Sequence, residues 1–250
     1  MSAPRLSVVV ITLNEEDRIP ETLASVAWAD EIVVIDAGSE DKTVGLAREF
    51  TDHVLIHPWQ GFAAQKNFGI EHATGDWILS LDADEQVEPA LRAEIATVIA
   101  ARDADVGYRI ARRNIMWGQW IRHGRLYPDW QLRLFRRGRG RFVERAVHES
   151  VQVEGSVGRL AAPLLHQSYR GVSDFLRRAD RYSTLAAEEW ARQGRPFRSA
   201  QLVTMPLGRF VSMYILHRGF LDGWRGFLLA VLYAYYVFIR AAKIWEKRTP

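Results

Sequence analysis

The first hundred residues alternate short apolar runs with stretches of helical periodicity. β-branched apolar runs predict strands over residues 6–13, 31–35, 54–56 and 77–81. Apolar spacing, candidate caps and an early proline predict helices over residues 19–28, 43–50, 62–72 and 91–102. Strands that alternate with helices in this way form a parallel sheet with right-handed crossovers. The sequence therefore predicts an α/β fold with a mostly parallel sheet flanked by helices.

Charge divides the chain into an acidic and a basic part. Residues 1–100 carry 6 Lys/Arg and 18 Asp/Glu, a net charge of −12, whereas residues 101–250 carry 27 and 12, a net charge of +15. We expect a nucleotide-binding α/β half at 1–105, a second half of the same domain at 106–200, and an amphipathic helical segment at 201–250. The chain contains no cysteine, which excludes disulfides, thiolate metal sites and cysteine nucleophiles.

Polar side chains follow three of the predicted strands. Thr12, Asn14 and Glu15 follow the first strand, and Asp36 follows the second. The fourth is followed by three carboxylates within four residues, Asp82, Asp84 and Glu85. Ligands of parallel α/β sheets bind beyond the carboxyl ends of the strands, so these side chains predict a site.

Carboxylates that lie so close together need a counter-charge, because like charges repel. A hard divalent cation, Mg²⁺ or Mn²⁺, is the natural one, and substrate phosphates often complete its ligand shell. A solvated loop is the simpler interpretation of a lone D-x-D, but the strand position and the neighbouring polar loops favour a site. The sequence has neither a P-loop nor a G-x-G-x-x-G after the first strand, so the corresponding nucleotide-binding classes are not supported.

Four collinear segments resemble family 2 glycosyltransferases: VVVITLNEE (8–16), IVVIDAGSEDKT (32–43), QKNFGIEHATGDWILSLDADE (65–85) and VHE (147–149). Residues 127–149 and 218–238 further resemble the WaaE/KdtX-type transferases of lipopolysaccharide core assembly. The resemblance implies the GT-A fold, a Rossmann-like sheet, here with a helical C-terminal extension. It also implies an inverting, metal-dependent transfer of a sugar, glucose from UDP-glucose, to a heptose of the inner core.

The resemblance also implies roles for individual residues. Members of the family place donor or nucleotide contacts at positions that correspond to Thr12, Asn14, Glu15, Asp36, Lys66, Asn67 and Asp82. Asp84 would bind the metal, with Asp82 and His166 as further ligand candidates. Glu149 is the candidate general base, with Asp129 as the alternative, because this chain has His-Glu where many members have two acidic residues.

The basic half suggests an anionic partner. Arginine is frequent in residues 122–145 and grips phosphate and carboxylate groups well, so we expect Trp130, Arg133 and Arg136 to contact the acceptor. Nucleic acid is the rival partner, but no nucleic-acid motif accompanies the arginines and the acidic half would repel a polyanion. An acidic, phosphate-rich glycolipid fits better.

The C-terminal segment is expected to lie at a membrane surface. An amphipathic helix is predicted over residues 172–194, and residues 226–239 are uncharged but too few to span a bilayer. Basic and aromatic side chains flank them, as at membrane interfaces, although a helix buried against the domain is the alternative. The expected location is cytoplasmic, peripheral on the inner face of the bacterial inner membrane.

Two other functions compete with this one. A polyprenyl-phosphate or other cell-envelope glycan transferase would share the donor half and differ in its acceptor. A non-catalytic nucleotide or nucleic-acid binding module is the alternative from another class. Paired carboxylates at the end of a strand favour an enzyme, because a binding module needs no metal carboxylates.

Overall fold

The structure is a computed structural model that describes residues 3–101, 103–143 and 150–247. By packing, the chain divides into two units. The first contains Met1–Arg112 and Trp130–His166, and the second contains Arg113–Asp129 and Gln167–Pro250. The division by function at residues 105 and 200 stays a prediction, since packing does not test it.

The predicted strands and helices of the first hundred residues are present. The strands up to the fourth helix are β1 (Leu6–Thr12), β2 (Glu31–Asp36), β3 (Val54–Ile56), β4 (Trp77–Asp82) and the short β5 (Glu85–Gln86). The helices between and after them are α1 (Ile19–Val26), α2 (Thr43–Ala47), α3 (Phe62–His72) and α4 (Pro89–Ala100). Their ends differ from the predicted ends by a few residues, and β4 reaches Asp82.

The rest of the chain begins with strands and ends with helices. The strands are β6 (Gly107–Met116), β7 (Gln119–Trp120), β8 (Asp129–Arg136), β9 (Gly140–Val143), β10 (Ser150–Val153), β11 (Val157–Arg159) and β12 (Leu164–Gln167). The helices are α5 (Val172–Arg192), α6 (Gln201–Phe210) and α7 (Gly223–Glu246). A π-helical turn, Val211–Leu216, and a 3-10 turn, Gly219–Asp222, connect the last two helices.

Among the described residues, the main sheet has the strand order β3-β2-β1-β4-β8-β6-β12-β5. Neighbouring strands are parallel from β3 to β4, so their carboxyl ends meet at one edge. Strand β8 is antiparallel to β4, with Trp77 opposite Arg136 and Leu79 opposite Leu134. The beginning of β8 therefore approaches the carboxyl edge, and its end lies at the amino edge.

Both faces of the central strands are buried, as the apolar runs predicted. Every residue of β1 is buried, and Val8, Val9, Val10 and Trp77 have no solvent exposure. On one face, α3 packs so closely that a Cβ on Gly69 would clash with Val9 Cγ1. This packing fixes the strand ends, and thereby the loops that follow them.

The second unit contains the long helices. Helix α5 begins at Val172, as predicted, and is tied to α7 by an ion pair of 2.6 Å between Lys243 Nζ and Asp180 Oδ1. Helix α7 extends well beyond the uncharged residues 226–239, because Arg225 and Lys243 find polar partners within this unit. By length and composition alone, Gly219–Glu246 could cross a membrane.

Candidate active site at the carboxyl edge

The loops after β1 and β2 are joined by hydrogen bonds. The Asn14 amide donates to Ser39 Oγ at 2.8 Å, and Glu40 N donates to Asn14 Oδ1 at 2.9 Å. Asp36 is fully buried, and its Oδ1 accepts from the amides of Gly38 and Ser39. The carboxylate thus holds its own loop in shape, with Gly38 in the left-handed region at φ +97°.

Two further residues of the first loop line the same edge. Glu15 N donates to Thr43 Oγ1 at 2.8 Å, which ties this loop to the beginning of α2. Thr12, at the end of β1, is buried, and its Oγ1 has no hydrogen-bond partner among the described residues. A buried hydroxyl without a hydrogen bond costs free energy, so the Thr12 hydroxyl is suited to donate a hydrogen bond to a ligand or to accept one from it.

Asp82 lies between two buried cations. Lys66 Nζ is 2.8 Å from its Oδ1, and Arg133 Nη2 is 2.6 Å from its Oδ2. Burial alone would raise the pKa of Asp82, but the charges and hydrogen bonds of Arg133 and Lys66 outweigh it and hold that pKa well below its usual value. Asp82 is therefore ionised, and both of its oxygens have protein partners.

Glu85 is the most deeply buried of the three carboxylates, with no solvent exposure. Its Oε1 accepts from Arg133 Nη2 at 2.5 Å and lies 3.5 Å from Arg112 Nη1. Its Oε2 accepts from the Asp82 amide at 3.0 Å. Glu85 and Arg133 therefore hold the loop after β4 in place through their hydrogen bonds with Asp82.

Asp84 faces a different pair of side chains. Its Oδ2 lies 3.2 Å from Arg18 Nη1 and 3.5 Å from His166 Nε2. Burial would raise the pKa of Asp84, whereas the hydrogen bond and charge of His166, followed by the charge of Arg18, lower it below its usual value. Strand β12 brings His166 opposite Glu85, so the histidine reaches the loop after β4.

The donor set at Asp84 fits a divalent cation. Two adjacent ligands of an octahedral Mg²⁺ site lie about 3.0 Å apart, since each is about 2.1 Å from the ion. Asp84 Oδ2 and His166 Nε2 are separated by a similar distance, 3.5 Å. The described residues contain no cluster of three or more acidic or histidine ligands, so a cation held here would take its other ligands from substrate oxygens or water. Asp82 fits less well, because Lys66 and Arg133 hold its oxygens.

Lys66 and Asn67 lie on α3 and differ in what they contact. Lys66 is 1% exposed and binds Asp82. Both polar atoms of the Asn67 amide pair with the backbone of Phe142: Nδ2 donates to its carbonyl and Oδ1 accepts from its amide, each at 2.9 Å. The structure therefore gives Asn67 a role in holding β9, and brings Lys66 to the site.

The three predicted acceptor residues are not brought together. Arg133 is 4% exposed, and its Nη2 donates to both Asp82 and Glu85, so burial leaves it little surface for a glycan. Arg136 lies opposite Trp77, with its guanidinium 4.7 Å from the ring centroid, at the amino edge of the sheet. Trp130 is near the beginning of β8 and stacks under Arg159 at 5.0 Å. The structure therefore separates the three residues along β8, and their contact with an acceptor stays a prediction.

Neither candidate base is settled by the structure. Glu149 lies outside the described residues. Asp129 is the first residue of β8 and is half-buried. Both assignments stay predictions.

The sequence analysis missed the protein cations that accompany the three carboxylates. Arg18 and Arg112 were not considered, and Lys66 and Arg133 were assigned to ligands. The crowded carboxylates indicated that a positive counter-charge lies nearby, but only a metal ion was considered for that counter-charge, and not an arginine or lysine of the chain. The pairing of Arg133 and Arg112 with the carboxylates depends on β8 lying next to β4 and on β6 lying next to β8, which local sequence does not reveal.

The polar loops, the carboxylates and the cations at this edge form a candidate ligand site, and comparisons with known proteins identify the family. The model of glycosyl transferase family 2 matches residues 7–154. The chain therefore belongs to glycosyltransferase family 2, and its fold is the GT-A fold. It is an enzyme of the glycosyltransferase class, which sets aside the alternative of a non-catalytic binding module.

Relatives match along nearly the whole chain. The lipopolysaccharide core biosynthesis glycosyltransferase LpsC of Rhizobium meliloti is 34% identical over 97% of this chain and 92% of its own. An uncharacterized glycosyltransferase of Rickettsia typhi is 28% identical over 97% and 87%. Among solved structures, the mannosyltransferase PcManGT from Pyrobaculum calidifontis, in complex with GDP-Man and Mn²⁺, has a TM-score of 0.56 at 16% identity and covers 99% of this chain and 88% of that one.

Proposed function

We propose that this enzyme transfers glucose from UDP-glucose, with inversion, to a heptose of the lipopolysaccharide inner core, and that it uses Mg²⁺ or Mn²⁺. The observation that carries the donor half is the adjacency of Asp84 and His166 beside the loops that follow β1 and β2. The similarity to LpsC, whose name assigns it to lipopolysaccharide core biosynthesis, supports the acceptor class.

The nucleotide is proposed to lie along the loops after β1 and β2. Thr12, whose buried hydroxyl has no partner among the described residues, offers a polar contact there. The bonds from Asn14 N to Ser39 and from Glu15 N to Thr43 hold the surrounding loops in place. Asp36 has one oxygen filled by two amides, and its Oδ2 accepts one hydrogen bond from Ser39 at 2.5 Å, so Oδ2 retains capacity for the uracil ring. Asp82 is proposed to face the ribose while Lys66 and Arg133 hold it in place.

Asp84 and His166 are proposed to hold the cation. When bound, a divalent cation neutralises the negative charge that develops on the departing diphosphate. The residues of the chain keep the two ligands ready for it: Asp84 is ionised, and β12 fixes His166 beside it. His166 can act as a ligand only when its imidazole is neutral.

Inversion by direct displacement needs one base to remove the proton of the acceptor hydroxyl. Glu149 is proposed for this role, and Asp129 is the alternative. Neither is among the residues that bind the metal in this proposal.

The acceptor is proposed to contact Trp130 and Arg159. Aromatic rings stack well on sugar rings, and Arg159 offers a guanidinium 5.0 Å above the Trp130 ring. Arginine pairs with phosphate and carboxylate groups, which suits an anionic core oligosaccharide.

A donor panel tests the proposal. The enzyme is incubated with a heptose-containing core acceptor and UDP-glucose, UDP-galactose, UDP-N-acetylglucosamine or GDP-mannose, in Mn²⁺ or in chelator. Transfer is expected from UDP-glucose in Mn²⁺ alone. Activity on a polyprenyl phosphate and none on the core acceptor would instead support the alternative acceptor, and equal transfer in chelator would contradict the metal.

We also propose that the C-terminal helices attach the enzyme to an anionic membrane surface. Helix α7 is apolar on two faces: Leu229, Ala230, Val237 and Ile244 are buried on one, whereas a second stripe is exposed. The exposed stripe follows helical spacing of three, four and seven residues: Trp224, Phe227, Val231, Tyr235, Phe238 and Trp245. Exposed aliphatic side chains of α6 and the π-helical turn continue the apolar surface: Val203, Leu207, Val211, Ile215 and Leu216.

The positive charge of the C-terminal segment favours an anionic bilayer as the partner that covers this apolar surface. Residues 201–250 carry seven Lys/Arg and two Asp/Glu, a net charge of +5. Each basic residue near an anionic leaflet contributes about 1 kcal/mol, and a fully buried large apolar side chain contributes about 1.5–3 kcal/mol. Peripheral attachment at the cytoplasmic face would also bring the enzyme to a lipid-linked acceptor.

Vesicle sedimentation tests the attachment. The double variant Trp224→Ser/Phe227→Ser should bind phosphatidylglycerol vesicles more than tenfold more weakly than the unmodified protein, as the loss of two such side chains implies. The control Leu176→Ser/Leu185→Ser removes two exposed apolar side chains from α5 and should bind normally. Unmodified protein that stays in the supernatant, or that buries this face in a dimer, contradicts the proposal.

A further inference from the structure

Arg18 occupies a distinctive position at the carboxyl edge. It immediately precedes α1, and its amide donates to the Glu15 carbonyl at 2.9 Å. Its guanidinium reaches from the loop after β1 to the loop after β4, where Nη1 lies 3.2 Å from Asp84 Oδ2. Both side chains are 12% exposed, so the pair is largely shielded from water yet open to a ligand.

The oxygen that Arg18 contacts is the one that faces His166. Asp84 Oδ2 lies 3.2 Å from Arg18 Nη1 and 3.5 Å from His166 Nε2. A cation held by Asp84 and His166 would therefore meet a guanidinium at the same carboxylate oxygen. Two positive charges this close repel strongly in a partly buried site, so Arg18 and the metal compete for Asp84.

We propose that Arg18 is the resident counter-ion of Asp84, and that it moves from the carboxylate to the diphosphate of the donor when the metal and the nucleotide bind together. This inference rests on the proposed metal site at Asp84 and His166. It adds a coupling between the binding of the metal and the binding of the nucleotide. The metal alone binds weakly, because it must displace Arg18 from Asp84. When the nucleotide is also bound, its diphosphate provides a new partner for the displaced guanidinium, so the metal binds more tightly.

The other cations of the cluster are poorly placed for such a movement. Lys66 is 1% exposed and Arg133 is 4% exposed, and each binds Asp82. Arg112 faces Glu85, which has no solvent exposure. Arg18 is the partner of the one carboxylate proposed to bind metal directly, and its planar guanidinium suits phosphate oxygens as well as it suits a carboxylate.

Titrations of Mn²⁺ and UDP test the coupling without turnover. Mn²⁺ affinity is measured by the electron paramagnetic resonance signal of the free ion, with and without saturating UDP. By linkage, UDP must strengthen Mn²⁺ binding by the same factor by which Mn²⁺ strengthens UDP binding. Arg18→Gln should bind Mn²⁺ about tenfold more tightly in the absence of UDP and should lose about tenfold of the coupling factor, within the usual range of such couplings.

Two further variants complete the design. Arg18→Lys keeps the charge and should behave close to the unmodified protein, which distinguishes charge competition from altered packing. Arg5→Gln removes the same charge from an exposed residue just before β1, at the opposite edge of the sheet, and should change neither affinity. Circular dichroism confirms that each variant is folded.

The outcomes separate this inference from the metal site on which it rests. If Asp84→Asn abolishes Mn²⁺ binding while Arg18→Gln leaves both the affinity and the coupling unchanged, the metal site stands and the role of Arg18 is refuted. If Asp84→Asn binds Mn²⁺ normally, the metal site and the role of Arg18 both fall. Weaker Mn²⁺ binding by Arg18→Gln would also refute the competition.

Discussion

Replacing Arg133 with methionine should destabilise the protein severely. Its Nη2 donates hydrogen bonds to Asp82 Oδ2 at 2.6 Å and to Glu85 Oε1 at 2.5 Å, and the side chain is 5% exposed. Methionine fills much of the same space but leaves Glu85, which has no solvent exposure, with the more distant guanidinium of Arg112, whose Nη1 lies 3.5 Å from Glu85 Oε1. Removing one partner of a buried ion pair costs about 3–5 kcal/mol.

This cost predicts a large thermal shift. For a chain of this size, 1 kcal/mol lowers the Tm by about 2–4 °C, so Arg133→Met should lower it by about 6–20 °C. The assay is thermal unfolding followed by circular dichroism at pH 7, with urea titration as a second measure. The control is Arg139→Met, in the exposed turn between β8 and β9, which should change the free energy of unfolding by less than about 0.5 kcal/mol.

The comparison of the two variants decides the matter. Equal shifts for Arg133→Met and Arg139→Met would show that the buried carboxylates do not depend on Arg133, and the account of the cluster would be refuted.

Three other perturbations have definite expected outcomes. Because the folded-state pKa of Asp84 is lowered, its contribution to stability is fully present above the unfolded pKa of about 3.9 and is lost as pH falls from there through the lower, folded-state pKa. Asp84→Asn should therefore show a smaller drop in Tm between about pH 6 and pH 3 than the unmodified protein, and an equal drop would contradict this. Gly69→Ala should lower the free energy of unfolding by about 1–3 kcal/mol because its Cβ meets Val9, whereas Gly45→Ala, with nothing within 4 Å, should not destabilise; urea titration compares them. Glu149→Gln should keep UDP affinity and lose about 10²–10⁴-fold in kcat, and a near-normal kcat would move the base to another residue.

The sheet could be predicted from sequence because its signals are local. Buried parallel strands read as continuous β-branched runs, and β1 to β4 lie within a few residues of their predicted bounds. The position of Asp84 at the carboxyl edge followed from the same rule. Helix α5 was found by its periodicity, and it begins at the predicted residue.

The charge network could not be predicted in the same way. Lys66 lies on α3 and Arg133 on β8, 16 residues before and 51 residues after Asp82, and the antiparallel pairing of β4 with β8 brings Arg133 close. Arg136 was assigned to the acceptor for its charge alone. Antiparallel register sends it to the amino edge, which a composition argument cannot detect.

Helix α7 shows a third kind of limit. Uncharged residues alone suggested a segment of 226–239, but charged side chains such as Arg225 and Lys243 are accommodated by partners elsewhere in the second unit. A helix can therefore continue past its apolar run wherever tertiary partners satisfy its charges.

Hydrogen-deuterium exchange with UDP and Mn²⁺ tests most directly the claim that the donor binds at the carboxyl edge. The account predicts protection of amides in residues 12–18, 36–43 and 82–85, and no change in residues 75–77 and 136–139 at the amino edge. Protection at the amino edge, with the carboxyl-edge loops unchanged, would contradict it.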